Sequence, residues 1–96
     1  MARGEAPPVR AILRDLLAER GLTLRSFAAK IGVSQPHLTN VLQGKKEPTG
    51  ELSRRIAAGL DLPEDFFAEA REAAVIEAMR SDPATRERLY RLIQKR

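Results

Sequence analysis

The chain has 96 residues with no cysteine and one histidine, His37, so it lacks a disulfide framework, a thiolate metal site and the second imidazole of the usual zinc sites. Its 43% hydrophobic and 31% charged residues are typical of one small globular domain, and no apolar run is long enough to span a membrane. Of the formal net charge of +4, residues 1–60 supply +5 (ten basic, five acidic) and residues 61–96 supply −1 (seven basic, eight acidic), so a polyanion would be drawn to the first part.

The first predicted helix follows an N-terminal arm of residues 1–8. Its apolar residues recur at i, i+3, i+4, i+7 and i+8, and this spacing gives a helix one hydrophobic face. The residues of this face are Val9, Ile12, Leu13, Leu16 and Leu17. Pro8 is suited to the start of a helix and Gly21 to its end, so we expect the helix to lie between them.

A second helix is predicted from Leu24 to about Ile31, with Thr23 as its N-cap. Gly32 follows at a position where a left-handed backbone costs a glycine little, and Ser34 can cap a third helix. The residues expected to face inward from the second helix are Leu24, Phe27, Ala28 and Ile31. The turn between the two helices is therefore only about three residues long.

The third helix has Pro36 in its first turn, where the missing N–H has no intrahelical partner to lose, and it ends at Gly44. Leu38, Val41 and Leu42 form its predicted buried stripe. The other side chains of this helix are short and polar, whereas an ordinary solvated face carries the better helix formers Lys and Glu. This face is therefore a candidate for recognition.

Three further helices are predicted after the polar loop at residues 45–48. Thr49 caps a fourth helix through residue 60, a fifth covers residues 64–80, and Asp82 caps a sixth that reaches the C-terminus. The residues expected to face inward from the fourth helix are Leu52, Ile56, Ala57 and Leu60. Because no strand alternation is present, the predicted fold class is all-α.

Two helices joined by a three-residue turn that contains glycine are the architecture of a helix-turn-helix DNA reader. In that arrangement the second helix projects short polar side chains into the major groove, where base edges present hydrogen-bond donors and acceptors. Gln35, Thr39 and Asn40 have this chemistry, and Gln or Asn can bond adenine in a bidentate manner. Residues 35–43 are therefore predicted to form the recognition helix.

The run from Leu22 to Phe67 resembles the Cro and phage-repressor type (XRE-like) helix-turn-helix domain. The matching residues are Gly21–Thr23, Phe27–Ser34, Leu38, Val41, Gly44, Lys45, Pro48–Thr49, Ile56–Ala57 and Leu62–Phe67. The resemblance implies a compact five-helix repressor-like DNA-binding domain over residues 9–67. Residues 68–96 would then be a C-terminal extension with an additional helix.

The resemblance also implies which residues contact DNA. Four groove-facing residues are expected to contact bases: Gln35, Pro36, Thr39 and Asn40. The residues expected to contact phosphates are Arg25, Ser34, His37, Lys45 and Lys46, with a thymine methyl group as the other candidate for an exposed His37. Leu24 stands where several family members hold a phosphate-binding glutamine, so Arg25 or backbone N–H groups at that helix N-terminus would replace the contact.

Several of these residues also have a purely structural interpretation. Ser34 is first of all a helix cap, and the Lys45–Lys46 pair could be a solvated loop, although its place after the recognition helix favours phosphate contact. The arginines at positions 54 and 55 are weaker candidates, because one of them can pair with Glu51 along the same helix.

The C-terminal helices are predicted to form a dimer interface. Apolar residues occupy more of the fifth helix than one amphipathic stripe would, so we expect it to be covered on two sides. The predicted dimerisation residues are Val75, Ile76, Met79, Leu89, Leu92 and Ile93. A homodimer would let two recognition helices read half-sites about one helical turn apart. The alternative is a monomer whose last helix completes the core.

The sequence thus predicts a transcriptional repressor that binds a palindromic operator in double-stranded DNA as a homodimer, in the cytoplasm, without a metal or other cofactor. The alternative is an antitoxin or anti-repressor type of interaction module, whose C-terminal helices bind a protein partner. An enzyme is disfavoured, because the candidate carboxylates have no Gly-rich loop, metal ligand or nucleophile beside them: Glu64, Asp65, Glu69 and Glu72.

Overall fold

Six α-helices form the computed structural model, which describes residues 4–95. They are α1 (Val9–Glu19), α2 (Leu24–Ile31), α3 (Gln35–Leu42), α4 (Gly50–Gly59), α5 (Ala68–Ser81) and α6 (Pro83–Gln94). No strand occurs in the described residues, so the predicted all-α class, a compact helix-turn-helix domain with an additional C-terminal helix, is confirmed. None of the helices in residues 4–95 is long and apolar enough to cross a membrane.

The predicted helix caps are present. In α2, the Ser26 N–H donates to Thr23 Oγ1 (3.0 Å) and the Thr23 N–H donates back to Ser26 Oγ (3.2 Å), which forms a reciprocal capping box. Ser34, Thr49 and Asp82 cap α3, α4 and α6 with their side-chain oxygens. Each cap satisfies an N–H that has no partner inside its helix, so these boundaries follow from local sequence.

The fifth helix begins four residues later than predicted, at Ala68 instead of residue 64. The Phe66 N–H donates to the Pro63 carbonyl (3.0 Å) in a turn, and Phe67 has an extended backbone with φ −92° and ψ 151°. Phe67 is fully buried and meets the ring of Phe66 edge-on, with centroids 5.1 Å apart. A continuous helix from residue 64 would not contain an extended residue at position 67. The helix therefore starts only after Phe67, where tertiary burial of the ring overrides local helix propensity.

The hydrophobic core lies between the first four helices. Its buried members are Val9, Leu13, Leu17, Phe27, Ala28, Ile31, Leu38, Val41, Leu52, Ile56, Ala57, Leu60 and Phe67. Leu24 and Leu42, which were predicted to face inward, are half-buried at its edge. Each fully buried Leu or Phe side chain contributes about 1.5–3 kcal/mol. This core holds α2 and α3 in fixed relative positions.

Two glycines allow helices to approach each other closely. A Cβ atom on Gly59 of α4 would lie 2.5 Å from Ile31 Cγ2 and 3.1 Å from Phe27 Cε1 of α2. A Cβ atom on Gly50 would clash with the Cβ of Ala73 in α5. Because real Cβ atoms do not come this close to other carbon atoms, α4 packs against both α2 and α5 at positions where only glycine fits.

The N-terminal arm lies against the start of α5; its first three residues are outside the described part of the chain. The Ala68 N–H donates to the Pro7 carbonyl (2.8 Å), and Arg71 Nη1 donates to the Gly4 carbonyl (2.9 Å). The first N–H of α1, that of Val9, donates to Glu69 Oε1 (3.1 Å). A carboxylate from α5 therefore caps α1, which has no capping side chain of its own.

Helix α5 contacts both α4 and α6 but has only one buried residue. Ala70 is buried, whereas Val75 on the other side is 55% exposed. Helix α6 packs against α5 but contains no buried residue, so it adds nothing to the buried core. The contacts with α4 and α6 leave part of the apolar surface of α5 exposed, and the choice between a monomer and a homodimer stays a prediction.

Candidate nucleic-acid interface

The turn between α2 and α3 consists of the three residues 32–34, as predicted. Gly32 has a left-handed backbone (φ +76°, ψ 30°), and the Val33 N–H donates to the Ala28 carbonyl (3.0 Å) to close the end of α2. Ser34 is extended and its Oγ accepts from the His37 N–H (3.2 Å), which starts α3. Its capping role is confirmed, and its phosphate contact stays a prediction.

The four predicted base-contacting residues share one face of α3. Leu38 and Val41 are buried on the opposite side, which seats the helix on the core. Gln35 and Pro36 are exposed, and Thr39 and Asn40, one turn later, are half-exposed. In residues 4–95 no hydrogen bond engages the side chains of Gln35, Thr39 or Asn40. Their donors and acceptors are therefore free to meet another molecule.

His37 lies at the edge of this face. It is half-buried instead of fully exposed, because it lies one helical turn before the buried Val41 and so next to the side of α3 that packs on the core. Its backbone N–H is already used by the Ser34 cap, so only its ring is available for a contact. The expectation of an exposed His37 is wrong, and contact with a phosphate stays a prediction.

The loop after α3 places two cations next to the recognition helix. Gly44 has φ +77°, and the N–H groups of Lys45 and Lys46 both donate to the Asn40 carbonyl (2.9 and 3.3 Å). Both lysine side chains are exposed. Because the two backbone amides are used within the loop, a phosphate contact here has to come from side chains.

The first turn of α2 retains two of the candidates for a phosphate contact. Leu24 is half-buried against the core, so it cannot serve as a polar clamp. The Ser26 N–H is used by the Thr23 cap, which leaves the N–H groups of Leu24 and Arg25 and the exposed Arg25 side chain. The positive end of a helix dipole adds to the attraction of a phosphate at this site.

Arg10 was missed by the sequence-based prediction. A Cβ atom built on Gly44 would lie 2.7 Å from Arg10 Nη1, so this guanidinium lies directly over the loop that follows the recognition helix. No local signal could have identified it, because the contact depends on how α1 packs against α3.

One ion pair occurs in the part of the chain that the structure describes. It joins Arg55 Nη2 to Glu51 Oε1 at 3.1 Å, one helical turn apart in α4. This confirms the expectation that one arginine of positions 54 and 55 pairs with Glu51. The cations near α3 have no such partner within residues 4–95.

The structure brings together four of the six predicted dimerisation residues. Met79, Leu89, Leu92 and Ile93 line one apolar recess between α5 and α6. Val75 is exposed on α5 outside that recess. Ile76 instead lines a groove with Pro48, Thr49 and Gly50 at the start of α4, so it does not line the recess either.

Comparison with known proteins gives one clear result. A family model described as helix-turn-helix (HTH_3) matches residues 13–67, more than half of the chain. The matched range starts within α1, includes α2, α3 and α4, and ends at the buried Phe67. A search of curated proteins found no match.

Proposed function

The chain belongs to the Cro/C1-type helix-turn-helix family and is a DNA-binding transcription regulator, and from this we propose that it is a repressor. It would bind a palindromic operator as a homodimer and exclude other proteins from the promoter by occupying it. We propose that it acts in the cytoplasm, in association with the DNA that it binds.

The main support for this proposal is the polar, unpartnered outer face of α3. Its exposed and half-exposed residues are short, uncharged and without hydrogen-bond partners for their side chains in residues 4–95: Gln35, Pro36, Thr39 and Asn40. Gln35 and Asn40 can each make a bidentate contact with adenine, and such a contact is worth about 1–3 kcal/mol of discrimination against the wrong base. Pro36 can offer only van der Waals contact, for example to a thymine methyl group.

Cations on both sides of α3 support binding to the phosphate backbone. Arg25 lies on the first turn of α2, and Lys45 and Lys46 follow α3; all three are exposed and unpaired in residues 4–95. Each phosphate that such a cation neutralises releases counterions, so binding should weaken steeply as salt increases. Ser34 and His37 complete the proposed phosphate-contacting set.

Exposed apolar residues on the last two helices support a homodimer. The large hydrophobic residues that are more than half exposed in the described chain all lie there: Val75, Tyr90, Leu92 and Ile93. Leaving them in water costs free energy, which a second copy of the chain would recover. Two-fold symmetry would then present two recognition helices to half-sites about 34–36 Å apart.

Selection from a random duplex pool tests the proposal. We expect the purified protein to enrich a palindromic consensus and two protomers to bind each selected duplex. Gln35→Ala and Asn40→Ala should relax the consensus at one position in each half-site, whereas Glu19→Ala, an exposed change on α1, should leave it unaltered. Enrichment of a single half-site with a 1:1 complex would refute the homodimer, and absence of any consensus would refute sequence-specific repression.

The apolar α5–α6 surface also supports a second candidate function, that of an antitoxin or anti-repressor whose C-terminal helices bind a protein partner. The same exposed residues would then be covered by a different chain. Analytical ultracentrifugation separates the two: a stable dimer at micromolar concentration favours the homodimeric repressor, whereas a monomer with weak DNA affinity favours the interaction module.

A further inference from the structure

The side chain of Arg10 reaches from α1 to the loop that ends the recognition helix. A Cβ atom on Gly44 would lie 2.7 Å from Nη1, 3.8 Å from Cζ and 3.9 Å from Cδ of Arg10. Three atoms of one side chain therefore lie over the bare backbone of Gly44. Glycine has no side chain that would displace the guanidinium from this point, and Lys45 and Lys46 are the next two residues of the loop.

This arrangement brings three basic side chains, those of Arg10, Lys45 and Lys46, to one loop that also carries acidic neighbours. The acidic residues that share a small recess with Arg10 and Lys46 are Glu47 and Glu69. Glu69 accepts the Val9 N–H with its carboxylate, and neither acid is within 4.0 Å of a cation, since the Glu51–Arg55 pair is the one ion pair of residues 4–95. Within residues 4–95 none of the three basic side chains is held in an ion pair, so each can pair with a phosphate of another molecule.

The first backbone N–H groups of the loop are already used within the chain. The N–H groups of Lys45 and Lys46 donate to the Asn40 carbonyl, and the Gly44 N–H donates to the Val41 carbonyl (3.1 Å). A planar guanidinium presents paired N–H donors that match two phosphate oxygens, whereas a lysine ammonium acts as a point charge. Arg10 is thus the group here that is best suited to orient a phosphodiester.

We propose that Arg10 is a DNA phosphate-contacting residue, which with Lys45 and Lys46 binds the backbone segment beside the end of the recognition helix. This assignment rests on the proposed position of α3 in the major groove. A cation near the last carbonyls of α3 also stabilises that helix through its dipole, and this structural role predicts a change in thermal stability without a change in the salt dependence of binding.

A salt titration of DNA binding distinguishes these roles. Fluorescence anisotropy with a labelled, mixed-sequence 30-base-pair duplex would measure Kd from about 50 to 200 mM KCl for the wild-type protein, Arg10→Gln and Arg14→Gln. Each lost phosphate contact should reduce the steepness of log K against log salt by about 0.9. The ratio of the wild-type affinity to the Arg10→Gln affinity should therefore shrink about 3.5-fold as KCl rises from about 50 to 200 mM. Arg14 is a matched control, because it is an exposed arginine one turn later in α1 and supplies none of the three atoms that would lie nearest to a Cβ atom on Gly44.

We expect the slope to fall for Arg10→Gln alone and Arg10→Lys to restore part of the affinity. Equal slopes for Arg10→Gln and the wild type, or equal reductions for Arg10→Gln and Arg14→Gln, would overturn the assignment while leaving the proposed function intact. A wild-type protein that does not bind the duplex at low salt would refute both.

Discussion

Residues 9–67 bury their large apolar side chains, whereas residues 68–95 leave many of theirs in contact with solvent. The core cluster of thirteen buried residues ends at Phe67, and α5 adds only the small side chain of Ala70 to the buried set. Ile93 in α6 is 65% exposed. The first region can therefore be stabilised by its own packing, whereas the second leaves apolar surface exposed that another molecule can cover.

The largest expected effect is at the boundary between the two regions. Phe67→Ala should lower the free energy of unfolding by about 3–5 kcal/mol, because it removes a fully buried ring and leaves a cavity. Urea denaturation followed by circular dichroism measures this change. Val75→Ala, at a side chain that is 55% exposed, is the control and should cost less than about 0.5 kcal/mol in dilute protein. Similar losses for both variants would contradict the comparison.

A smaller effect is expected inside the first region at Gly59. Gly59→Ala would bring a Cβ atom to 2.5 Å from Ile31 Cγ2, and overpacking of this kind costs about 1–3 kcal/mol. This should outweigh the gain in helix propensity of about 1 kcal/mol from replacing glycine. Thermal unfolding measures the net loss, with Ala58→Ser on the exposed side of the same helix as control. A more stable Gly59→Ala protein would show that α2 and α4 can separate without cost.

The turn before the recognition helix should be sensitive to backbone strain alone. Gly32 has φ +76° and no atom within 4 Å of a built Cβ, so Gly32→Ala should cost roughly 1–2 kcal/mol through its left-handed conformation. Gly21→Ala is matched, because Gly21 has φ +66° and the same open surroundings. We expect equal losses in urea denaturation. A much larger loss for Gly32→Ala would indicate that the turn between α2 and α3 depends on more than backbone conformation.

The smallest effect is expected in the second region, where α6 begins at Asp82. Hydrogen bonds from the Thr85 hydroxyl (2.6 Å) and the Ala84 N–H (3.1 Å) hold the pKa of this carboxyl below its ordinary value of 3.8. Because the folded pKa is the lower one, the stabilisation is present above the unfolded pKa and is lost as pH falls through the folded pKa. The protection factors for amide hydrogen exchange at Ala84 and Thr85, which are corrected for the intrinsic rate at each pH, should therefore fall in acid before those of the core do. Asp82→Asn should remove this local pH dependence, and its persistence in that variant would contradict the assignment.

Local signals were sufficient to predict the helices and the turn of the DNA-reading unit. Thr23, Ser34 and Thr49 cap the helices that they were expected to cap, because each hydroxyl satisfies an N–H only three residues away. The four residues expected to contact bases share one outward face, because the burial of Leu38 and Val41 determines which side of α3 faces the core. Whether they contact bases stays a prediction.

Contacts between residues distant in sequence could not be predicted from such local signals. The start of α5 was predicted too early, because the buried ring of Phe67 needs an extended residue there. The cap of α1 comes from Glu69, sixty positions away, and Arg10 meets Gly44 only because α1 packs beside α3. The helices, their local caps and the polar character of the recognition helix could be predicted, since they depend on neighbours within about one helical turn. The apolar surface that stays exposed and the basic side chains that share one loop depend on how the helices pack, because packing brings those groups together from distant parts of the chain.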